Sequence, residues 1–272
     1  MVPRIDCHCH LLDPARFPYN PASPFHPAGQ EIATAAQMGH VFAAHGVAGA
    51  LLVQPNSGYD QDNACMLAAI AESGGRYRGV AVVPNDASHD QLAELKARGV
   101  VGVAFNLPFF GTEYYRGTEA LIRRLVDLDL ILQIQVEGDQ LVDFLPVLGD
   151  APARLLFDHC GRPDPARGLD QPGFAALLRL GRERGAAVKL SGYVKFAARS
   201  HPFEDAWPYV RALVDAFTLD RCVWGSDWPF LRARERVDYG PLVRLAETLF
   251  PDPADQARLF WHNPRRMFGF DF

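Results

Sequence analysis

Short apolar segments recur eight times along the chain, each followed by a polar or Gly/Pro-rich turn and then by a stretch in which apolar residues have helical spacing. Most of these segments are almost continuously apolar, which is typical of parallel strands covered by helices on both faces of the sheet. The predicted strands are residues 4–10, 49–55, 78–84, 100–106, 131–136, 154–159, 187–192 and 222–227. The predicted helices are residues 32–44, 62–72, 88–97, 118–128, 141–148, 173–184, 208–217 and 239–249. This alternation predicts an α/β fold, a single (β/α)8 TIM barrel that spans residues 1–272 as one domain.

The proline-rich segment 14–27 directly follows the first predicted strand. We interpret it as a long loop over the mouth of the barrel, with a disordered insertion as the alternative.

Charge and composition restrict the class of partner. The net charge is −5, from 27 Lys and Arg against 32 Asp and Glu, and no basic stripe is present, so nucleic-acid binding is not expected. The apolar runs are far shorter than the ~18 residues of a membrane span, and the first residues do not resemble a signal peptide. The odd number of cysteines, five, indicates reduced thiols and a cytoplasmic protein. We expect a small-molecule substrate and a possible homo-oligomer.

The first predicted strand carries the sequence IDCHCH at residues 5–10. Side chains two apart on a strand share a face, so His8 and His10 should point the same way, with Cys7 and Cys9 on the opposite face. In a barrel of this kind reactive groups gather at the carboxyl ends of the strands, so both imidazoles are candidates for the site. The alternative is a pair of surface histidines.

Two further apolar strands also end in a reactive side chain. His159 ends the sixth, in phase with Leu155 and Phe157, and Asp227 ends the eighth. A carboxylate at that position needs cations, a metal or hydrogen-bond donors to offset its burial. The alternatives are a structural histidine packed against the helices and an aspartate that caps a helix.

Four motifs together resemble the amidohydrolase superfamily over nearly the whole chain: IDCHCH (5–10), FDHCGRP (157–163), VWGSDWPF (223–230) and NPRRMFGF (263–270). The segments FPY (17–19), DHCGRP (158–163) and VKLSGYVKF (188–196) look like the branch that contains 2-pyrone-4,6-dicarboxylate lactonase and sugar-lactone hydrolases. The resemblance implies a hydrolase whose strand-end histidines and aspartate activate water, with one or two divalent metals in much of the superfamily.

The fifth predicted strand departs from that pattern, because it offers Gln133 and Gln135 where the resemblance implies a metal-binding residue. Two mechanisms therefore stay open. In one, no metal is required, Asp227 is the general base, and His8, His10 and His159 polarise the carbonyl. In the other, one divalent cation, zinc by preference, is held by His8, His10 and Asp227 and activates the water.

Hydrolysis of a small, carboxylate-bearing lactone fits these groups best, because it needs only an activated water and stabilisation of the oxyanion. The chain has no Gly-x-Ser-x-Gly elbow and no nucleotide-binding glycine motif. The residues predicted to bind the substrate are Arg162, Asn56, Ser57, Tyr19 and Lys195. A metal-dependent decarboxylase or hydratase on the same barrel is the nearest alternative, and a non-catalytic binding barrel is another.

Overall fold

Eight strands lie side by side in chain order, and each neighbouring pair from β1–β2 to β7–β8 is parallel. The structure is a computed structural model and describes residues 2–272. The strands are β1 Arg4–Cys9, β2 Val47–Val53, β3 Tyr77–Ala81, β4 Val100–Asn106, β5 Ile131–Gln135, β6 Leu155–Phe157, β7 Ala187–Leu190 and β8 Cys222–Trp224. The predicted (β/α)8 barrel is confirmed.

Helices fill the connections and cover the outside of the sheet. They are α1 Ala35–His45, α2 Ala64–Glu72, α3 His89–Ala97, α4 Leu107–Phe110, α5 Glu119–Asp127, α6 Gln140–Leu148, α7 Pro172–Arg184, α8 Trp207–Phe217, α9 Tyr239–Leu249, α10 Pro253–Ala257 and α11 Asn263–Phe268. The first helix begins later than predicted because Thr34 and Gln37 form a capping box at its start. Between residues 2 and 272, no helix is both long and apolar enough to cross a membrane.

Seven of the eight predicted strands, all but the fourth, are too long at their carboxyl ends, and three of these ends carry predicted site residues. The structure places His10 one residue beyond β1, His159 beyond β6, and Asp227 beyond β8. The backbone of His159 has φ 51° and that of Asp227 has φ 65°, and a strand requires negative φ. The chain therefore leaves the sheet before it reaches these two residues.

The regular alternation predicted for β1 is interrupted. Its pairing with β2 shifts register between Asp6 and Cys9. As a result Cys7 packs in the apolar cluster inside the barrel, whereas Cys9 lies on the helix side, with its Sγ 3.9 Å from the Sδ of Met38. The simple period of two had predicted that the two cysteines share a face. They do not.

The Asp6 carboxylate joins the two ends of the sheet. Its Oδ1 accepts the backbone N–H groups of His8 (3.1 Å) and Ser226 (2.9 Å), and its Oδ2 accepts the Tyr239 hydroxyl (2.9 Å). Beside it, the Asp227 N–H donates to the His8 carbonyl at 2.8 Å. One buried side chain therefore holds the segment after β8 against β1.

Replacing Asp6 by Ala is expected to destabilise the barrel. Three buried donors would lose their acceptor, and at ~1–3 kcal/mol each the free energy of unfolding should fall by about 3 kcal/mol or more. Denaturant unfolding measures this change. The exposed Asp170 is the control, and Asp170→Ala should change the free energy of unfolding by less than about 0.5 kcal/mol. Equal effects of the two substitutions would show that Asp6 does not close the barrel.

Candidate active site

A cavity of about 340 Å³ opens at the carboxyl ends of the strands. This is the end of a (β/α)8 barrel where active sites are found, and the volume suits a small ligand. Polar side chains of β1, β4 and β5 and of the segments that follow β1, β2, β5, β6, β7 and β8 line it: His8, His10, Gln54, Asn56, Ser57, Asn106, Gln133, Gln135, Glu137, Asp158, His159, Arg162, Lys195, Asp227, Arg232 and Arg234. Asn85 and Asp86, which follow β3, are not among them.

Three imidazoles converge on one carboxylate oxygen at the base of this cavity. The Oδ1 of Asp227 lies 3.7 Å from Nε2 of His8, 3.4 Å from Nε2 of His10 and 3.7 Å from Nε2 of His159. All four side chains are almost completely buried. The structure therefore brings together the four residues that the sequence singled out as catalytic.

Asp227 is held in its ionised form. Burial alone would raise the pKa of this carboxyl, but Lys195, followed by His159, outweighs burial, and the pKa lies well below its usual range. The Nζ of Lys195 is 3.3 Å from Oδ2 of Asp227. The same Lys195 ammonium donates to the carbonyl oxygen of Leu231, which anchors it beside the carboxylate.

His8 and His159 are held neutral. Burial, assisted by the nearby Lys189 ammonium, lowers the pKa of His8 to about 4. Burial also lowers the pKa of His159 well below its usual range. The Nδ1 of His159 lies 3.0 Å from Oγ of Ser191, which orients the ring.

His10 also presents Nε2 to the site, but its other nitrogen has a backbone partner. Its Nδ1 lies 2.8 Å from the carbonyl oxygen of Val53, and because a carbonyl oxygen can only accept, Nδ1 is the donor. In its neutral form the ring then has a lone pair, and no proton, at the Nε2 that faces Asp227. His10 is thus suited to accept a hydrogen bond from a water in the cavity.

A second layer of polar side chains lies beneath the imidazoles. The fully buried Lys189 of β7 has its Nζ 2.6 Å from Oε1 of Gln133 and 3.1 Å from both Nδ1 of His8 and Oδ1 of Asp158. The Gln133 amide in turn donates to Oδ2 of Asp158 at 2.8 Å. Lys189 was not predicted from the sequence, although a lysine in the middle of the apolar run 187–190 was a usable signal.

His8, His159 and Asp227 form a His/His/Asp group whose donor atoms all lie within 4.8 Å of one another, close enough to hold a divalent ion. The group differs from the predicted set of His8, His10 and Asp227. A metal at this point requires a lone pair on Nε2 of each histidine, with the proton on Nδ1. At His8 that proton would face the Lys189 ammonium at 3.1 Å, and its possible acceptor, Oδ1 of Asp158 at 3.3 Å, has no aligned hydrogen bond. In addition, Lys195 already neutralises Asp227. The protonation pattern around His8 therefore does not fit a metal ion.

Four of the five residues predicted to bind substrate line the cavity: Asn56, Ser57, Arg162 and Lys195. The fifth, Tyr19, does not. Its hydroxyl donates to the carbonyl oxygen of Pro27 at 3.0 Å, and its ring packs beside Tyr59. The segment 14–27 is a structured loop that packs on the loop after β2, with the Asn20 N–H donating to the Gly58 carbonyl at 2.8 Å.

Cationic groups gather at the mouth of the cavity. Arg162 pairs with Glu137 at 2.7 Å, and its buried Nε has no hydrogen-bond acceptor. Arg232 and Arg234, which the sequence analysis did not identify, also line the cavity. The mouth is therefore suited to an anionic ligand.

The fold and the site define a (β/α)8-barrel protein of the kind that activates water with strand-end histidines and an aspartate. The sequence matches the amidohydrolase family over residues 5–270, and the chain belongs to that family.

Characterised relatives are similar over almost the whole chain. A 4-sulfomuconolactone hydrolase of Hydrogenophaga intermedia is 29% identical, with 97% of this chain and 88% of the relative aligned. A 2-pyrone-4,6-dicarboxylate hydrolase of Comamonas testosteroni is 29% identical, with 97% and 89% aligned. A crystal structure of a probable 2-pyrone-4,6-dicarboxylic acid hydrolase from Acinetobacter baumannii, with citric acid bound, is also similar. It superposes with a TM-score of 0.85 at 26% identity, and the alignment covers 99% of this chain and 100% of that chain.

Gly192, next to Ser191, is required for the position of His159. Its backbone is left-handed, with φ 64° and ψ 28°, and a Cβ there would lie 2.3 Å from Nδ1 of His159. Gly185 has nearly the same backbone, with φ 63° and ψ 25°, but no atom lies within 4 Å of its Cβ position. Both Gly→Ala variants should lose about 1–2 kcal/mol to the left-handed backbone.

Only Gly192→Ala is expected to lose additional stability and to displace the His159 ring. Denaturant unfolding measures the stability of the two variants, and a crystal structure shows the ring. If Gly192→Ala and Gly185→Ala behave alike, the contact between residue 192 and His159 does not control the site.

Proposed function

We propose that the protein is a hydrolase that opens a small lactone by attack of water on the ester carbonyl. The observation that carries this proposal is the convergence of three Nε2 atoms within 3.4–3.7 Å of one ionised carboxylate oxygen, at the base of a cavity. The named activities of the relatives from Hydrogenophaga intermedia and Comamonas testosteroni support it, since both act on lactone-type substrates by their names.

Each of the groups at the base of the cavity has a role in this reaction. A water that donates hydrogen bonds to Nε2 of His10 and to Asp227 loses a proton to Asp227 as its oxygen bonds to the carbonyl carbon. His8 and His159 donate to the carbonyl oxygen while negative charge develops there. The ring C–O bond then breaks, and Asp227 returns the proton to the leaving oxygen. The products are one hydroxyl and one carboxyl group from one ester and one water.

The low pKa of Asp227 favours a lactone over an amide. A carboxylate with such a pKa is a weak base, so the carbonyl must already be electrophilic. An amide would also require protonation of a much more basic nitrogen before it leaves, whereas the oxygen of an activated lactone leaves with little assistance.

A carboxylate on the lactone would be held at the cationic mouth. Arg162 lines the cavity and can bind such a group, with Arg232 and Arg234 beside it. Asn56 and Ser57 also line the cavity and can bind a polar group of the substrate. Lys195 lies close enough to Asp227 to contact the same substrate.

We further propose a cytoplasmic location. All five cysteines are buried free thiols, and burial raises the pKa of Cys160 to about 12, so this thiol stays protonated. Assembly into a homo-oligomer stays a prediction.

Proton release from acidic lactones, with and without a chelator, is the experiment that tests the proposal. Pyrone dicarboxylates and sugar-acid lactones are the substrates to screen, with the metal content of the protein measured in parallel. Turnover that survives removal of metal supports the metal-free mechanism. No proton release from any substrate would refute the proposed activity, and full loss of turnover with the chelator, restored by zinc, would refute the metal-free mechanism.

Asp227→Asn removes the proposed base while it keeps the shape of the side chain. We expect kcat to fall by about 10²–10⁴, the usual contribution of a general base. Initial-rate kinetics on the best lactone of the screen measures it, with the exposed Asp170→Asn as the control that should leave kcat unchanged. A rate in Asp227→Asn close to that of the parent would remove Asp227 from the mechanism.

The acid limb of the pH profile should lie unusually low. Asp227 remains ionised far below neutral pH, and His8 stays neutral until about pH 4, instead of the 6.5 of a free histidine. Lowering the pH from about 7 to about 5 therefore changes the charge of neither group, so neither should cause a fall in kcat/KM over this range. Rates measured across this range together with an NMR titration of His8 test the assignment, and protonation of His8 near pH 6.5 with a parallel loss of activity would contradict it.

A further inference from the structure

Lys189 is a fully buried ammonium with no contact to solvent. Burying such a charge is costly unless it is paired and hydrogen-bonded. Its Nζ has three neighbours, Oε1 of Gln133, Nδ1 of His8 and Oδ1 of Asp158, and Asp158 supplies the compensating charge. The ammonium therefore has two hydrogen-bond acceptors, Gln133 and His8, and forms an ion pair with Asp158 at 3.1 Å without an aligned hydrogen bond.

The direction of the contact with His8 follows from the chemistry of the two groups. An ammonium can only donate, so Nδ1 of His8, at 3.1 Å, must accept. A neutral imidazole that accepts at Nδ1 carries its proton at Nε2. In the structure that Nε2 is the atom that faces Asp227 and the cavity.

The competing arrangement would place the proton on Nδ1 and direct it to Asp158. Oδ1 of Asp158 lies 3.3 Å from that nitrogen, farther than Nζ of Lys189, and this oxygen has no aligned hydrogen-bond donor. The other oxygen of Asp158 is occupied by the Gln133 amide. Asp158 thus balances the charge of Lys189, and the shorter, aligned contact to His8 belongs to the lysine.

We infer that Lys189 is a positioning residue that holds His8 as the tautomer with its proton on Nε2, so that His8 donates a hydrogen bond into the cavity and has no lone pair there for a metal. The role of that donor in stabilising an oxyanion rests on the proposed lactone hydrolysis, whereas the tautomer itself does not. Gln133 helps to fix the position of Lys189, because its carbonyl oxygen accepts a hydrogen bond from the ammonium.

Nitrogen-15 NMR of histidine-labelled protein tests the tautomer directly. The His8 signals are identified by their absence from the spectrum of His8→Gln. We expect an unprotonated Nδ1 and a protonated Nε2 for His8 in the parent protein at neutral pH. A protonated Nδ1 with a bare Nε2 would overturn the inference without any need for a variant.

Lys189→Met removes the donor and keeps a side chain of similar length. We expect the His8 proton to move to Nδ1, next to Asp158, and kcat to fall by about 10²-fold or more with KM little changed, as for loss of one oxyanion donor. Lys96→Met is the control, because it makes the same substitution at an exposed lysine that does not line the cavity. It should retain the parent tautomer and most of kcat.

The outcomes separate the inference from the proposed function. If Lys189→Met keeps the parent tautomer, Lys189 does not control His8. Should Lys189→Met not fold, the spectrum of the parent protein decides. If no lactone is hydrolysed, the proposed function fails while the NMR result still decides the tautomer. If lactones are hydrolysed but His8 carries its proton on Nδ1, only the inference fails.

Discussion

The junction between the segment after β8 and strand β1 is the contact on which the site depends. Asp6 binds the backbone of Ser226 and His8, and the Asp227 N–H donates to the carbonyl of His8. These contacts join residues that are more than 200 positions apart in the chain and bring the Asp227 carboxylate beside the imidazoles. Without this junction the carboxylate and the histidines would belong to separate ends of an open sheet.

Charge compensation is the second condition for such a site. Two buried carboxylates each lie beside a lysine: Asp158 beside Lys189 below the imidazoles, and Asp227 beside Lys195 at the base of the cavity. Because both anions already have a cationic partner, the imidazoles need not be charged, and burial keeps His8 neutral. The site can therefore contain an ionised base and neutral hydrogen-bond donors side by side at neutral pH, as general-base hydrolysis requires.

Some residues of the candidate site could be predicted from the sequence, and others could not. His8, His159 and Asp227 were identifiable because each lies at or just beyond the end of an apolar run, and parallel strands of a barrel all direct their carboxyl ends to one rim. Tyr19 was placed near the site on local sequence alone, yet its hydroxyl bonds to Pro27 within the same loop. Arg232 and Arg234 follow no strand directly, so no periodic signal marked them, although the fold of their loop brings them to the cavity.

The amino-acid sequence by itself determined the barrel, the order of its strands and the rim at which the reactive groups meet, because hydrophobic periodicity acts along the chain and parallel connections permit few topologies. Only the tertiary structure decided which nitrogen of each imidazole faces the cavity. That choice depends on partners that are distant in the chain, Lys189 for His8 and the carbonyl of Val53 for His10. Hydrogen-bond direction is a property of pairs of atoms in space, and no spacing of residues along one chain contains it.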